Sequence, residues 1–173
     1  LNACVDMAKI GAKVALVGMV GEDGFGNFLV SELMRYGVDI SGLKRSTDYH
    51  TSASVVLVDG TGERTFLHST GANGKFTDAD IDYSILDFSD YVFVSGTMLM
   101  PSFDGAPTAR FLKECKKRGK TTFLDTAWDD TGSWMKKLEE ALPYIDYFMP
   151  SIAEATELTG GLTKPEEIAK FFF

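Results

Sequence analysis

The nine residues Gly18–Gly26 constrain this chain more than any others. They follow the β-branched run Lys13–Val17 and lead at once into an amphipathic segment, Phe25–Tyr36. Four glycines in nine residues give a backbone that turns tightly and admits close neighbours or a ligand. A strand that stops at such a bend before a helix is how open α/β sheets build sites at their strand ends.

The remaining punctuation repeats that unit. Helix Leu1–Ile10, strand Lys13–Val17 and helix Phe25–Tyr36 are expected in order. That second helix carries a stripe of Phe25, Phe28, Leu29, Leu33 and Tyr36 and stops at Gly37. Further on, Thr77 with Asp80 predicts a capped helix Asp78–Leu86. Strand Tyr91–Ser95, helix Asp104–Arg118 ending at Gly119, and strand Thr121–Leu124 come next. Helix Ser133–Leu142, strand Ile145–Met149 and helices Ile152–Thr159 and Pro165–Phe173 complete the chain. Alternation of this kind with right-handed crossovers means a mainly parallel sheet with helices on both faces, an α/β fold.

One segment breaks the alternation. Thr51–Asp59 and Glu63–Ser69 are strand-like runs around Asp59-Gly60-Thr61-Gly62, a hairpin signal. A β-only insertion in such a chain is expected to stand off the main sheet as a flap.

Composition narrows the class. With 45% hydrophobic and 24% charged residues the chain reads as globular, and no window nears the ~20 apolar residues of a membrane span. A net charge of −8 argues against a general nucleic-acid or anionic-membrane surface, but not against phosphate held by helix N-termini or glycine loops. Cys4 and Cys115 fit no metal or redox spacing and read as buried structural thiols in a reducing compartment. Without a signal peptide the default is cytoplasmic. The uncapped start at Leu1 and the aromatic run Phe171-Phe172-Phe173 are expected of an inner piece of a longer protein.

The strand ends carry the candidate chemistry: Glu22 and Asp23 in the glycine bend, Ser95-Gly96-Thr97, Asp125 to Asp130, and Ser151 with Glu154. These suit a polyol or a phosphate–magnesium ligand, or they cap the following helices, and spacing alone favours capping. The glycine bend does not reproduce the dinucleotide fingerprint Gly-x-Gly-x-x-Gly. His50 and His68 read as packing histidines and Trp128 and Trp134 as core or rim aromatics, with Trp128 also placed to stack on a sugar ring.

In their order these motifs resemble the ribokinase-like, phosphofructokinase-B type carbohydrate kinases. Val17 to Gly26 followed by Leu33-Met34-Arg35-Tyr36-Gly37-Val38-Asp39 matches that family's first signature. Asn2 falls where the family has its sugar-binding asparagine. The hairpin, at about residues 44–70, looks like the family's β-lid, and Pro150-Ser151-Ile152-Ala153-Glu154 looks like its Asn-x-x-Glu motif with Ser in place of Asn. The resemblance implies a ribokinase-like three-layer sandwich, truncated at both ends, that phosphorylates a sugar hydroxyl with ATP and Mg2+.

The resemblance also assigns roles. Asn2, Gly96, Phe66 and His68 become substrate-binding candidates, Ser151 and Glu154 phosphate and nucleotide candidates, and Glu154 the metal ligand. Acids rather than Arg after Asp125 imply a neutral sugar rather than a sugar acid. The second family signature, Asp-Thr-x-Gly-Ala-Gly-Asp with the catalytic Asp, does not occur among residues 1–173, so this fragment is expected to be inactive alone, with the phosphate cradle elsewhere. A homodimer through the lid is the implied partner. The rival readings are a non-catalytic sugar- or nucleotide-binding protein of the same fold and a Rossmann-type nicotinamide enzyme.

Overall fold

A computed structural model describes residues 1–172. They form two compact units, Leu1–Asp82 and Tyr83 onward.

In the first unit, α1 (Asn2–Lys9) precedes β1 (Gly18–Gly21) and α2 (Gly24–Arg35). The run Lys13–Val17 is not the strand itself. It contributes one parallel bridge, Ala15 to Asp39, and the ladder proper lies just after it, where Gly18–Gly21 pair in parallel with β2 (Leu43–Ser46). Leu43-Lys44-Arg45-Ser46 has no apolar run to announce a strand; its pairing with β1 makes it one. α2 stops where expected, at Gly37 with φ +72°. Its apolar stripe is only partly inward: Leu33 is buried against Cys4, Val38, Val14 and Leu16, whereas Phe25 and Phe28 are exposed.

The flap is an antiparallel ribbon of β3 (Ala53–Val58) and β4 (Arg64–Ser69). The five residues that join the strands are held by Asp59, whose Oδ1 accepts from Thr61 N, Thr61 Oγ1 and Glu63 N, and by Gly62 at φ +90°. The expected helix Asp78–Leu86 is absent. The Thr77/Asp80 capping box closes one 3-10 turn, after which Ile81 turns extended and buries its side chain; Tyr83–Phe88 form a second 3-10 segment.

The second unit is built on a parallel three-stranded sheet in the order β5 (Tyr91–Thr97), β6 (Thr121–Thr126), β7 (Tyr147–Phe148). One face buries Val92, Val94 and Leu124, and α3 (Ala106–Lys117) packs on β6, burying Phe111, Leu112 and Cys115. Alternation puts Tyr91, Phe93, Phe123 and Tyr147 on the other face, with Phe123 and Tyr147 stacked at 4.5 Å. Lys116 and Lys117 end α3, and Gly119 turns the chain at φ +71°.

The expected helix Ser133–Leu142 is replaced by two 3-10 turns, Trp134–Lys137 and Leu142–Tyr144. Trp134, whose N–H donates to the Asp129 side chain, stands at φ +37°, outside the right-handed helical region, and Pro143 at the end brings no donor. α4 (Ile152–Leu158) and α5 (Pro165–Phe172) finish the described chain, and Phe172 packs edge-on against Phe148. Phe173, the last of the expected aromatic trio, lies outside the described residues. Both cysteines are buried and neither is bridged; burial pushes the Cys4 thiol up and that of Cys115 up to about 12, as inert core thiols should behave.

Candidate functional site

Within the first unit the glycine bend is a joint, not a cradle. Asp23 caps α2 by accepting Gly26 N at 2.7 Å, and the same carboxylate accepts Thr51 N at 2.7 Å and Thr51 Oγ1 at 2.8 Å. Thr51 Oγ1 in turn accepts the buried Gly21 N at 2.9 Å. A methyl at Gly21 would lie 2.6 Å from Tyr49 O and 2.7 Å from Thr51 N, and one at Gly26 would collide with the Gly21 carbonyl. These glycines make room for the chain that enters the hairpin. The Asp23 carboxyl is held down to about 2, first by Gly26 N–H, then by the Thr51 N–H and hydroxyl. Asp23 is the local cap that spacing suggested.

The returning strand is tied to the same root. Ala72 N donates to His50 O at 2.8 Å, and His50 Nε2 lies 3.3 Å from Ser69 Oγ. His50 therefore has a structural part, consistent with the packing reading. Beside the root opens a mostly apolar cleft of about 770 Å³ lined by Phe25, Phe28, His50 and Ala53.

Cross-strand register sorts the hairpin into two unlike faces. Ser54, Val56, Val58, Arg64, Phe66 and His68 share one face, with Ser54 Oγ 2.7 Å from His68 Nδ1. Val55, Leu57 and Leu67 share the other and are exposed. The candidates Phe66 and His68 thus fall together, on the face that offers a ring, a hydroxyl and an imidazole. Ser54 belongs with them and was missed; strict alternation opposite His68 was the signal. Asn2 stands at the first residue of α1, exposed.

In the second unit the carboxyl ends of β5 and β6 gather a polar cluster. Glu154 and Ser151 form a capping box on α4: Glu154 N donates to Ser151 Oγ at 3.3 Å, and Ser151 N donates to Glu154 Oε2 at 2.9 Å. The same Oε2 accepts Thr126 Oγ1 at 2.9 Å, which carries the carboxylate back to the end of β6. Capping, the bland alternative, is therefore real for both residues. It engages Oε2 of Glu154.

Asp125 faces this cluster. Burial, and then the negative charge of Glu154, push its carboxyl up, while a hydrogen bond with the Ser95 side chain pulls it down. Gly96 follows at φ +84°, and the Thr97 hydroxyl is fully buried with no hydrogen-bond partner among the described residues. Asp125 and Thr126 join Glu154 only through the adjacency of β6 to the start of α4, which no spacing rule in the chain could supply.

Two carboxylates with nearby hydroxyls are hard oxygen donors of the kind that suit magnesium, which keeps several waters and takes one or two carboxylates. Among the described residues no group of three or more His, Cys, Asp or Glu side chains forms a closed metal cage.

The pfkB family carbohydrate kinase model matches residues 1–172. This chain belongs to the pfkB family of carbohydrate kinases. It is similar to the 2-dehydro-3-deoxygluconokinase of Bacillus subtilis, 25% identical over 182 residues that cover 99% of this chain and 55% of that kinase. It therefore spans about half the length of the curated kinases it matches. A pfkB protein of Polaromonas superposes with a TM-score of 0.84 at 21% identity, over 99% of this chain and 60% of that one. A ribokinase-type protein of E. coli, solved with ATP and magnesium, superposes at 0.79 with 22% identity, over 97% and 55%. The pfkB kinase fold expected from the first signature is thus the fold observed, ribokinase-like and α/β.

Proposed function

We propose that the protein containing this chain transfers the γ-phosphoryl group of ATP to a hydroxyl of a neutral sugar. The observation that carries the proposal is the Asp125–Glu154–Thr126–Ser151 cluster at the end of β6 and the start of α4 in a pfkB family chain. Magnesium, when bound, neutralises charge on the transferring phosphates. Glu154 is the proposed metal ligand, through Oε1, while Oε2 keeps Ser151 N and Thr126 Oγ1 in place. Ser151 orients the nucleotide end of that motif. The E. coli neighbour with ATP and magnesium supports this use of cofactor.

Sugar recognition is assigned to Asn2, Gly96, Phe66 and His68. A neutral substrate is favoured because the loop after Asp125 carries Asp129 and Asp130, and Lys137, which reaches into it, is already paired with Asp129 at 2.7 Å. An acidic sugar would find that cation taken. The apolar hairpin face of Val55, Leu57 and Leu67 is proposed to meet a second copy, giving a lid-joined homodimer in the cytoplasm. No residue of 1–173 is assigned as the base, since the Asp-Thr-x-Gly-Ala-Gly-Asp motif does not occur among them.

A coupled assay for ADP release tests the reading. D-Fructose or D-ribose should be consumed in preference to 2-dehydro-3-deoxygluconate, and Glu154→Gln should raise the magnesium requirement more than the sugar KM. The 173-residue chain alone should not turn over. A magnesium titration unchanged in Glu154→Gln would remove Glu154 from its role, and preferred use of the sugar acid would overturn the neutral-sugar assignment.

A further inference from the structure

The chain has two tryptophans, and both lie in the loop that leaves β6. Trp128, two residues beyond the strand, keeps 50% of its surface exposed. Trp134 meets it edge-on, with ring centroids 5.0 Å apart at 85°. An edge-on partner fixes the plane of an indole and leaves a face free.

The rest of the loop is built at a cost around that pair. The Asp129 side chain is fully buried, and its oxygens accept Trp134 N at 2.6 Å, Thr131 Oγ1 at 2.7 Å, Thr131 N at 3.1 Å and Lys137 Nζ at 2.7 Å. Trp134 is held at φ +37°, a left-handed conformation that a bulky residue rarely adopts. A buried charge and a strained backbone persist only where the surroundings over-determine them, and such sites cluster at ligands. The one large apolar side chain this loop exposes is the indole of Trp128, beside the exposed Asp130, Thr131 and Gly132.

We propose that Trp128 is a ring-stacking, specificity-determining residue of the sugar site, its free face lying against the C–H face of a cyclic, uncharged sugar. The proposal rests on the sugar-kinase reading above and sharpens it to substrates that present a closed ring. Asp125 lies three residues before Trp128 and Ser95 bonds to it, so a carboxylate and a hydroxyl stand ready for sugar hydroxyls at the same strand ends. Next to Trp128 the loop offers Asp130 and a Lys137 already paired with Asp129, so it leaves an uncharged ring better placed than a phosphate-bearing one as the stacked partner. Asp129 acts through Trp134 and is a positioning residue.

The test uses the active protein with D-fructose, D-ribose and ATP as probes. Trp128→Leu should raise the sugar KM at least about tenfold and leave the ATP KM within about twofold, and Trp128→Tyr should recover most of the loss. In Trp134→Phe, Trp128 is the one tryptophan of residues 1–173; tryptophan-selective fluorescence should change saturably on adding sugar without nucleotide, and adding Trp128→Leu in that background should abolish the change. A sugar KM unchanged in Trp128→Leu, or an increase confined to the ATP KM, overturns the proposal. Should the unaltered protein phosphorylate neither sugar, the neutral-sugar reading fails separately. The fluorescence titration then decides: a saturable signal upholds stacking and a flat one ends it.

Discussion

Replacing Thr51 by valine removes one oxygen from the joint at the glycine bend and leaves its shape intact. Thr51 is 3% exposed, and its hydroxyl both accepts Gly21 N at 2.9 Å and donates to Asp23 at 2.8 Å. Valine fills the same volume, so no cavity term arises. The buried Gly21 N–H is left without an acceptor, which costs about 1–3 kcal/mol. For a chain of this size that is a fall in melting temperature of roughly 3–10 °C. Thr51→Ser keeps the oxygen and gives up a methyl, worth about 0.8 kcal/mol. The expected order of stability is therefore wild type, serine, valine. Urea unfolding monitored by circular dichroism measures it, with m-values unchanged because the same surface is exposed in all three. A valine variant as stable as the serine variant would refute the argument, since it would mean that the Gly21 amide needs no partner there.

Two titratable groups extend this to pH. The Asp23 carboxyl sits at about 2 against an ordinary 3.8, so its contribution is present above the unfolded value and is lost as pH falls through about 2. The stability difference between wild type and Asp23→Asn should shrink between about pH 4 and pH 2, followed by thermal melts in that window; a constant difference would contradict it. Asp125 is shifted the other way, by burial and then by Glu154, so its charge costs the fold stability above the unfolded pKa. Asp125→Asn should melt higher than wild type at pH 7, lose that advantage below about pH 4, and phosphorylate sugar more slowly; a lower melting point at pH 7 would count against the placement of Asp125.

Local chemistry was legible wherever a single segment decides its own conformation. Gly37 and Gly119 stop their helices because only a left-handed residue closes those turns, and the hairpin follows from two β-branched runs around Asp59-Gly60. Legibility failed where a distant partner decides. Leu43–Ser46 is a strand because β1 lies beside it, and Ser133–Leu142 does not start as an α-helix because Trp134, tied to Asp129, stands at φ +37°, outside the right-handed helical region. The site divides in the same way. Ser151 and Glu154 could be read as a pair four residues wide, in either a capping or a ligand role, and the capping box is there. That Thr126 and Asp125 share their corner depends on which strand lies next to α4.

The joint at Asp23 also changes how inherited variation in this chain should be read. Gly21, Asp23, Gly26, Thr51, His50 and Ala72 are scattered over fifty residues of coding sequence yet bear on one root. A missense change at Gly26 would look, by position, like a helix lesion, and one at Thr51 like a loop lesion. Both would weaken the same root, the first by crowding it and the second by removing a hydrogen bond from it. Variants of this family are then better grouped by the joint they loosen than by the element in which they fall.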